Sequence, residues 1–304
     1  MRRLIVGSTG VLLLFLLLDT LFPLNNKVSY SPIIHARDST ILHAYLSQDD
    51  KWRLKTELSE IIPPLRTTLI YKEDKYFYYH FGINPAAVAR ALITNLFHLK
   101  TTSGASTITM QVARLLDPKP RTYANKFVEM FNALQLEWHY SKAEILQMYL
   151  NLVPYGGNIE GVKSAALLYF KRLPRQLSLA QIVTLAIIPN RPTSLVLGKR
   201  NDYILQERNK WLRRFAQDRI FPTEALRNAL EEPLEVARQA PPQLAPHFCQ
   251  RVHLENPQAI SLYTSLDIQK QEKFSNWFKT MYAACISLVY SMPPCWWSTT
   301  IPIK

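Results

Sequence analysis

The sequence predicts a mainly α-helical fold entered through a small β segment, and three observations carry that expectation. Ser141-Lys142-Ala143-Glu144 and Ser178-Leu179-Ala180-Gln181 are capping boxes, each opening an apolar run. Val88, Leu92 and Leu96 recur at helical spacing behind Pro85, a residue suited to a first helical turn. Ahead of them, residues 30–34 and 40–46 are rich in β-formers and bounded by polar residues.

Taken in order, the chain opens with Met1-Arg2-Arg3 and an apolar run over residues 4–18, which resumes at Leu21, Phe22 and Leu24 after Asp19. A basic start followed by an apolar run is the pattern of a signal peptide or a membrane anchor. Counted through Leu24, the run reaches the roughly 20 residues that a bilayer needs. No small-residue cleavage site follows, so an uncleaved N-terminal membrane anchor helix is expected over residues 1–27, with the N-terminus in the cytoplasm. A cleaved signal is the alternative. The main domain is expected over residues 28–240. After the β entry, helices are expected at 85–99, 125–140, 141–152 (ended by Gly156-Gly157), 161–170, 178–188, 202–219 and 223–232. Ala240-Pro241-Pro242-Gln243-Leu244-Ala245-Pro246 reads as a linker, and residues 261–268 as a strand beginning a further region within 241–278. From Lys279 to residue 304 neither helical nor strand periodicity is read, and this tail looks aberrant.

At 304 residues the chain has room for a large core, and its net charge of +13 points to an anionic partner (nucleic acid, phospholipid headgroups or a phosphorylated substrate), with a simply solvated surface as the competing reading. No zinc-finger spacing, RNP-like aromatic run or homeodomain-like helix accompanies the charge, so nucleic acid is not the expected partner. Cys249, Cys285 and Cys295 are odd in number and lack metal-type spacing, which excludes a disulfide scaffold.

The chemistry concentrates in a central block. Glu73-Asp74-Lys75-Tyr76-Phe77-Tyr78-Tyr79-His80-Phe81-Gly82 sets an acidic pair among aromatics, a setting that favours general acid/base use. An ordinary ion pair is the competing reading of these two carboxylates. Some 30 residues later, Gly104-Ala105-Ser106-Thr107-Ile108-Thr109-Met110-Gln111 brings hydroxyls and an amide together. Glu129 lies in a helix that is apolar nearly all round, where a lone carboxylate is costly to bury. It is either paired or functional, and Arg114, Arg121 and Lys126 stand upstream as partners. Two separated carboxylates with a basic cluster suit glycosyl transfer with a phosphate leaving group.

These segments resemble the signature motifs of the peptidoglycan glycosyltransferases (glycosyltransferase family 51), the polymerase module of class A penicillin-binding proteins. ED-x-x-F-x-x-H-x-G is matched by Glu73, Asp74, Phe77, His80 and Gly82, and G-G-S-T-I-T-Q-Q by Gly104, Ser106, Thr107, Ile108, Thr109 and Gln111. R-K-x-x-E is matched only at Lys126 and Glu129, with Asn125 in place of Arg. Tyr149, Leu150, Asn151, Gly161, Val162, Ala165, Ala166, Tyr169 and Phe170 match the last motif. Ala105 for Gly, Met110 for the first Gln and Asn84 for the usual Asp are departures, and Ala105 and Met110 look specifically like the 1C branch.

The resemblance implies a lysozyme-like glycosyltransferase domain that polymerises lipid II, the disaccharide-pentapeptide carried on undecaprenyl diphosphate. Glu73 matches the base acting on the acceptor 4-hydroxyl, and Glu129 the second essential Glu. Ser106, Thr107, Gln111, Arg114, Arg121 and Lys126 match positions that bind the donor or its diphosphate. Asp74, Phe77, His80, Gly82 and Asn151 match motif-holding positions. No cofactor is obligatory, a divalent cation (Mg or Mn) is an optional aid, and no metal-ligand spacing appears. The implied partners are lipid II, the growing lipid-linked glycan, the bacterial inner membrane and other proteins of a cell-wall synthesis complex, with the catalytic domain in the periplasm. Leu96, Phe97 and Leu99 are candidates to dip into the membrane, against plain core packing. A lysozyme-type cleaving enzyme and an inactive remnant are the rival readings. No S-x-x-K or K-T-G occurs, so no transpeptidase activity is expected, and the chain reads as a bifunctional protein truncated near Lys279.

Overall fold

The structure is a computed structural model that describes residues 2–98, 106–190 and 195–291. The chain divides into two compact units, one of residues Met1–Ser31 with Tyr45–Pro241, the other of Pro32–Ala44 with Pro242–Lys304.

The first unit is helical throughout. It holds α1 (Arg2–Leu21), α2 (Pro63–Glu73), α3 (Pro85–His98), α4 (Ile108–Leu116), α5 (Tyr123–His139), α6 (Lys142–Leu152), α7 (Val162–Phe170), α8 (Leu179–Ile187), α9 (Asn201–Gln217) and α10 (Thr223–Glu231). The local reasons match the sequence signals. Ser141 accepts from Glu144 N while the Glu144 carboxylate returns to Ser141 N, and Ser178 and Gln181 do the same at α8. Pro63 and Pro64 occupy the first turn of α2, where no N–H is needed, and Thr122 caps α5 by accepting from Asn125 N.

Around these helices runs one continuous core, in which Leu65, Leu69, Phe77, Ile108, Val112, Leu136, Ile145, Tyr149, Ala165, Ile182 and Leu185 are buried. A smaller cluster of Val183, Leu212, Phe215, Leu226 and Ala229 joins α8, α9 and α10. Helix α1 packs on α5. Phe15 meets Phe131 and Trp138 edge-on, and Asp19 accepts from Gln135 Nε2 at 2.8 Å. Among the described residues no helix is long and apolar enough to cross a membrane. The expected anchor is therefore present as a helix but not as a demonstrated span, since the side chains of residues 2–8 lie outside the description.

The second unit contains β1 (Ile33–His35), β2 (Ile41–Ala44), α11 (Pro246–Glu255), β3 (Ser261–Tyr263) and α12 (Ile268–Ser291). The sheet order is β2-β1-β3, antiparallel between β1 and β2 and parallel between β1 and β3. Both entry strands are shorter than their runs of β-formers, and α11 forms in a stretch the sequence read as linker and lead-in. The tail needs a correction. Residues 279–291 continue a helix begun at Ile268, because Phe274, Trp277, Phe278, Met281, Tyr282 and Ile286 share one three-to-four spacing that starts upstream of Lys279. Leu99, Gly104 and Ala105, with the side chains of Leu96 and Phe97, lie outside the described residues.

Candidate active site

The first motif is built at the C-terminal end of α2. Glu73 is its last residue, with Asp74 as the C-cap, so the adjacent carboxylates diverge. Asp74 turns inward and is 7 % exposed. It accepts from His80 Nε2 at 2.9 Å and from Ile108 N at 3.1 Å, the first residue of α4. A carboxylate against the positive end of a helix is favourable, so Asp74 ties the first motif to the second. His80 is thereby a hydrogen-bond partner of Asp74. Phe77 is fully buried beneath it, with the Lys142 ammonium 4.5 Å from its ring centroid.

Glu73 instead joins a buried pair. Lys72 Nζ lies 2.5 Å from its Oε1, and both side chains are nearly inaccessible. Its other oxygen accepts from Gln111 Nε2 at 3.2 Å, across from α4. Buried charges persist only when paired and hydrogen-bonded, and this one is both. Tyr149 and Tyr155 stand near it: burial raises both phenol pKa values, and the charge of Glu73 raises them further. Among the described residues neither hydroxyl has a hydrogen-bond partner. Motif matching singled out Tyr149 without a role, and nothing in the pattern pointed to Tyr155.

Glu129 is buried at 9 % exposure on the inner face of α5. Lys126, one turn earlier, contacts it at 2.5 Å and also donates to Ser106 Oγ at 2.9 Å. Ser106 leads directly into α4, so the Lys126–Glu129 pair is held at the start of the helix that also presents Gln111 to Glu73. The structure therefore brings Glu73, Gln111, Ser106, Lys126 and Glu129 together around α4. Arg114 lies on the same helix, near enough for its charge to act on Tyr149. Arg121 is exposed in the turn before α5, away from any hydrogen bond described for these groups.

Thr107, placed by resemblance with the donor-binding residues, has its hydroxyl committed. It caps α4 by accepting from Met110 N at 3.1 Å and donates to Gly82 O at 2.5 Å. It is buried, and its work here is to position the helix. Gly82 has φ +71°, and a Cβ there would meet Ala133 O at 2.8 Å, so the motif needs glycine for both backbone and space. Asn151 is likewise internal, accepting from Thr56 N and donating to Thr56 O and Gln147 O. Sequence reasoning missed Glu137, which accepts from Thr109 Oγ1 at 2.6 Å and from Lys142 Nζ at 2.7 Å. Since Lys142 also donates to His80 O, the first two motifs are laced through one buried carboxylate. Its only sequence signal was a Glu on the core side of α5.

A helical domain whose site sets a buried, paired glutamate on each flank of one short helix defines a class, and comparison with known proteins agrees with it. Residues 38–216 match the Transglycosylase family model, and the chain belongs to that family. It is 37 % identical over 264 residues to penicillin-binding protein 1C of Escherichia coli K12, covering 85 % of this chain and 34 % of that protein. It is 34 % identical over 203 residues to penicillin-binding protein 1B of Haemophilus influenzae, covering 65 % of this chain and 26 % of the relative. A crystal structure of penicillin-binding protein 1A from Haemophilus influenzae aligns with a TM-score of 0.39 and 17 % identity, over 75 % of this chain and 24 % of that one, a likeness too weak to argue from. The chain thus spans about a third of the length of the 1C protein it matches.

Proposed function

We propose that this chain is a peptidoglycan glycosyltransferase that polymerises lipid II with inversion, releasing undecaprenyl diphosphate. The observation that carries the reading is the pair of carboxylate sites on opposite flanks of α4, one paired with a buried lysine, the other with a partly exposed lysine that also reaches a hydroxyl. Glu73 takes the proton from the acceptor 4-hydroxyl as that oxygen bonds to the anomeric carbon. The bond from that carbon to the diphosphate breaks on the opposite face, and its electron pair leaves with the phosphate. Lys126, whose side chain is 38 % exposed and so can reach solvent, neutralises the departing charge with Ser106, while Arg114 and Arg121 supply further cations. Glu129 holds Lys126 in place. Gln111 orients Glu73.

Among the described residues no three His, Cys, Asp or Glu side chains converge as a metal site. A divalent cation (Mg or Mn) enters only as an optional counter-ion to the diphosphate. The apolar N-terminal run supports an inner-membrane anchor with the catalytic unit in the periplasm, where lipid II, the growing glycan and other cell-wall synthesis proteins are the partners.

The test is polymerisation of lipid II by the wild-type chain and by Glu73→Gln. Polymer from the wild type, with a rate reduced by about 10²–10⁴ in the variant, is the expected result for loss of a general base. Equal traces would sink the reading. Finished glycan offered to the same enzyme should yield no fragments, whereas fragments would favour a lysozyme-type hydrolase.

A further inference from the structure

Helix α12 carries an exposed apolar stripe that the proposed chemistry does not use. Phe274, Trp277, Phe278, Met281, Tyr282 and Ile286 are between 39 % and 63 % exposed. At 3.6 residues per turn, the first five fall within an arc of about 140° on one side of the helix. Lys273 and Lys279 lie just outside that arc, one on each border, and Lys270 stands at its N-terminal end. Glu272 is the only acidic residue of the helix and sits on the opposite face, with Asn276 and Ser287.

Six large apolar side chains in water are costly, and a contiguous patch of this kind marks an interaction surface. Aromatic residues on one face, bordered by lysines whose stems can lie along the apolar surface while their ammonium groups reach outward, suit a bilayer interface. A second copy of this chain fits less well. It would bring lysine borders against lysine borders with a single glutamate to answer them. The polar opposite face also suits lying on a bilayer rather than crossing it.

We propose that α12 docks along the surface of an anionic phospholipid bilayer, with Trp277, Phe278 and Met281 sunk below the headgroups and Lys273 and Lys279 paired with lipid phosphates. This is a membrane contact separate from the N-terminal run and independent of the glycosyltransferase reading.

The test uses the full chain carrying Cys295→Ser, with an environment-sensitive fluorophore on Cys285, an exposed thiol on the stripe side of α12. The N-terminal run can hold the chain on any vesicle, so the readout must be local to α12. Vesicles containing phosphatidylglycerol should blue-shift the label and permit quenching by spin labels near the headgroups, and phosphatidylcholine alone should do so far less. Lys273→Gln and Lys279→Gln should each weaken the anionic-lipid effect about fivefold, with helix content unchanged. A label that stays water-exposed on both vesicles overturns the proposal, as does quenching indifferent to lipid charge or strongest at the bilayer centre. Energy transfer between labelled copies without lipid quenching would also overturn it, in favour of self-association.

Discussion

Replacing Gly82 by alanine should damage this protein far more than the same change at Gly157, and the geometry says by how much. Gly82 adopts φ +71°, which costs an L-residue roughly 1–2 kcal/mol. Its new methyl would sit 2.8 Å from Ala133 O and 3.1 Å from Ala133 C, backbone atoms of α5 that cannot yield without moving the helix. Overpacking of that kind adds about 1–3 kcal/mol, so the total is about 2–5 kcal/mol. Gly157 also has positive φ, at +57°, yet a Cβ there meets only the Arg238 Nη1 atom at 3.5 Å, the end of a flexible side chain. Its cost should stay near the conformational term, about 1–2 kcal/mol. Thermal unfolding followed by circular dichroism should show a drop of roughly 5–15 °C for Gly82→Ala and a few degrees for Gly157→Ala. Because Gly82 O receives the Thr107 hydroxyl, the first variant should also shift α4 and lower polymerisation. Equal melting temperatures for the two variants would refute the steric argument.

Other expectations follow from the same site. Lys126→Met should lower kcat by about 10²–10³ and, because it leaves the buried Glu129 carboxylate without its lysine, cost about 1–3 kcal/mol of stability; an unchanged kcat in the folded variant would remove the lysine from the leaving-group side. Asp74→Asn weakens the bonds from His80 and from the start of α4, and urea titration should read a loss of about 2 kcal/mol. Burial, then the charge of Glu73, raises the pKa values of Tyr149 and Tyr155, so the fold favours their neutral forms. The stability this supplies is present below the unfolded tyrosine pKa of about 10 and is lost as pH climbs above it. Tyrosinate absorbance from this pair should therefore appear only with alkaline unfolding, and titration of all tyrosines before unfolding would contradict that. Tyr155→Phe, which deletes a buried hydroxyl with no partner among the described residues, should raise stability by about 1 kcal/mol, and a loss of stability would reveal a partner for it.

Much of the helical layout was legible because its signals are local. A capping box at Ser141 or Ser178 satisfies its own helix terminus, so the residues that start α6 and α8 are the ones that announce them. Helix α12 was missed for a local reason too: its stripe begins at Phe274, and a reading restarted at Lys279 cuts the period in half. The β entry strands came out short because pairing, rather than propensity, decides where a strand ends.

By itself, then, the sequence determined the helical class, the helix starts and the identity of the two glutamates with their cationic neighbours. Residue types and their offsets express these without reference to distant parts of the chain. Only the tertiary structure decided which way each acid faces. Glu73 and Asp74 are neighbours in sequence, yet one faces Gln111 beside a buried lysine while the other is consumed by His80 and the N-terminus of α4. It also set the Thr107 hydroxyl at the cap of α4 and brought Glu137 into the frame of the site. Those outcomes depend on which backbone groups lie within about 3 Å after folding, and no spacing along the chain encodes that directly.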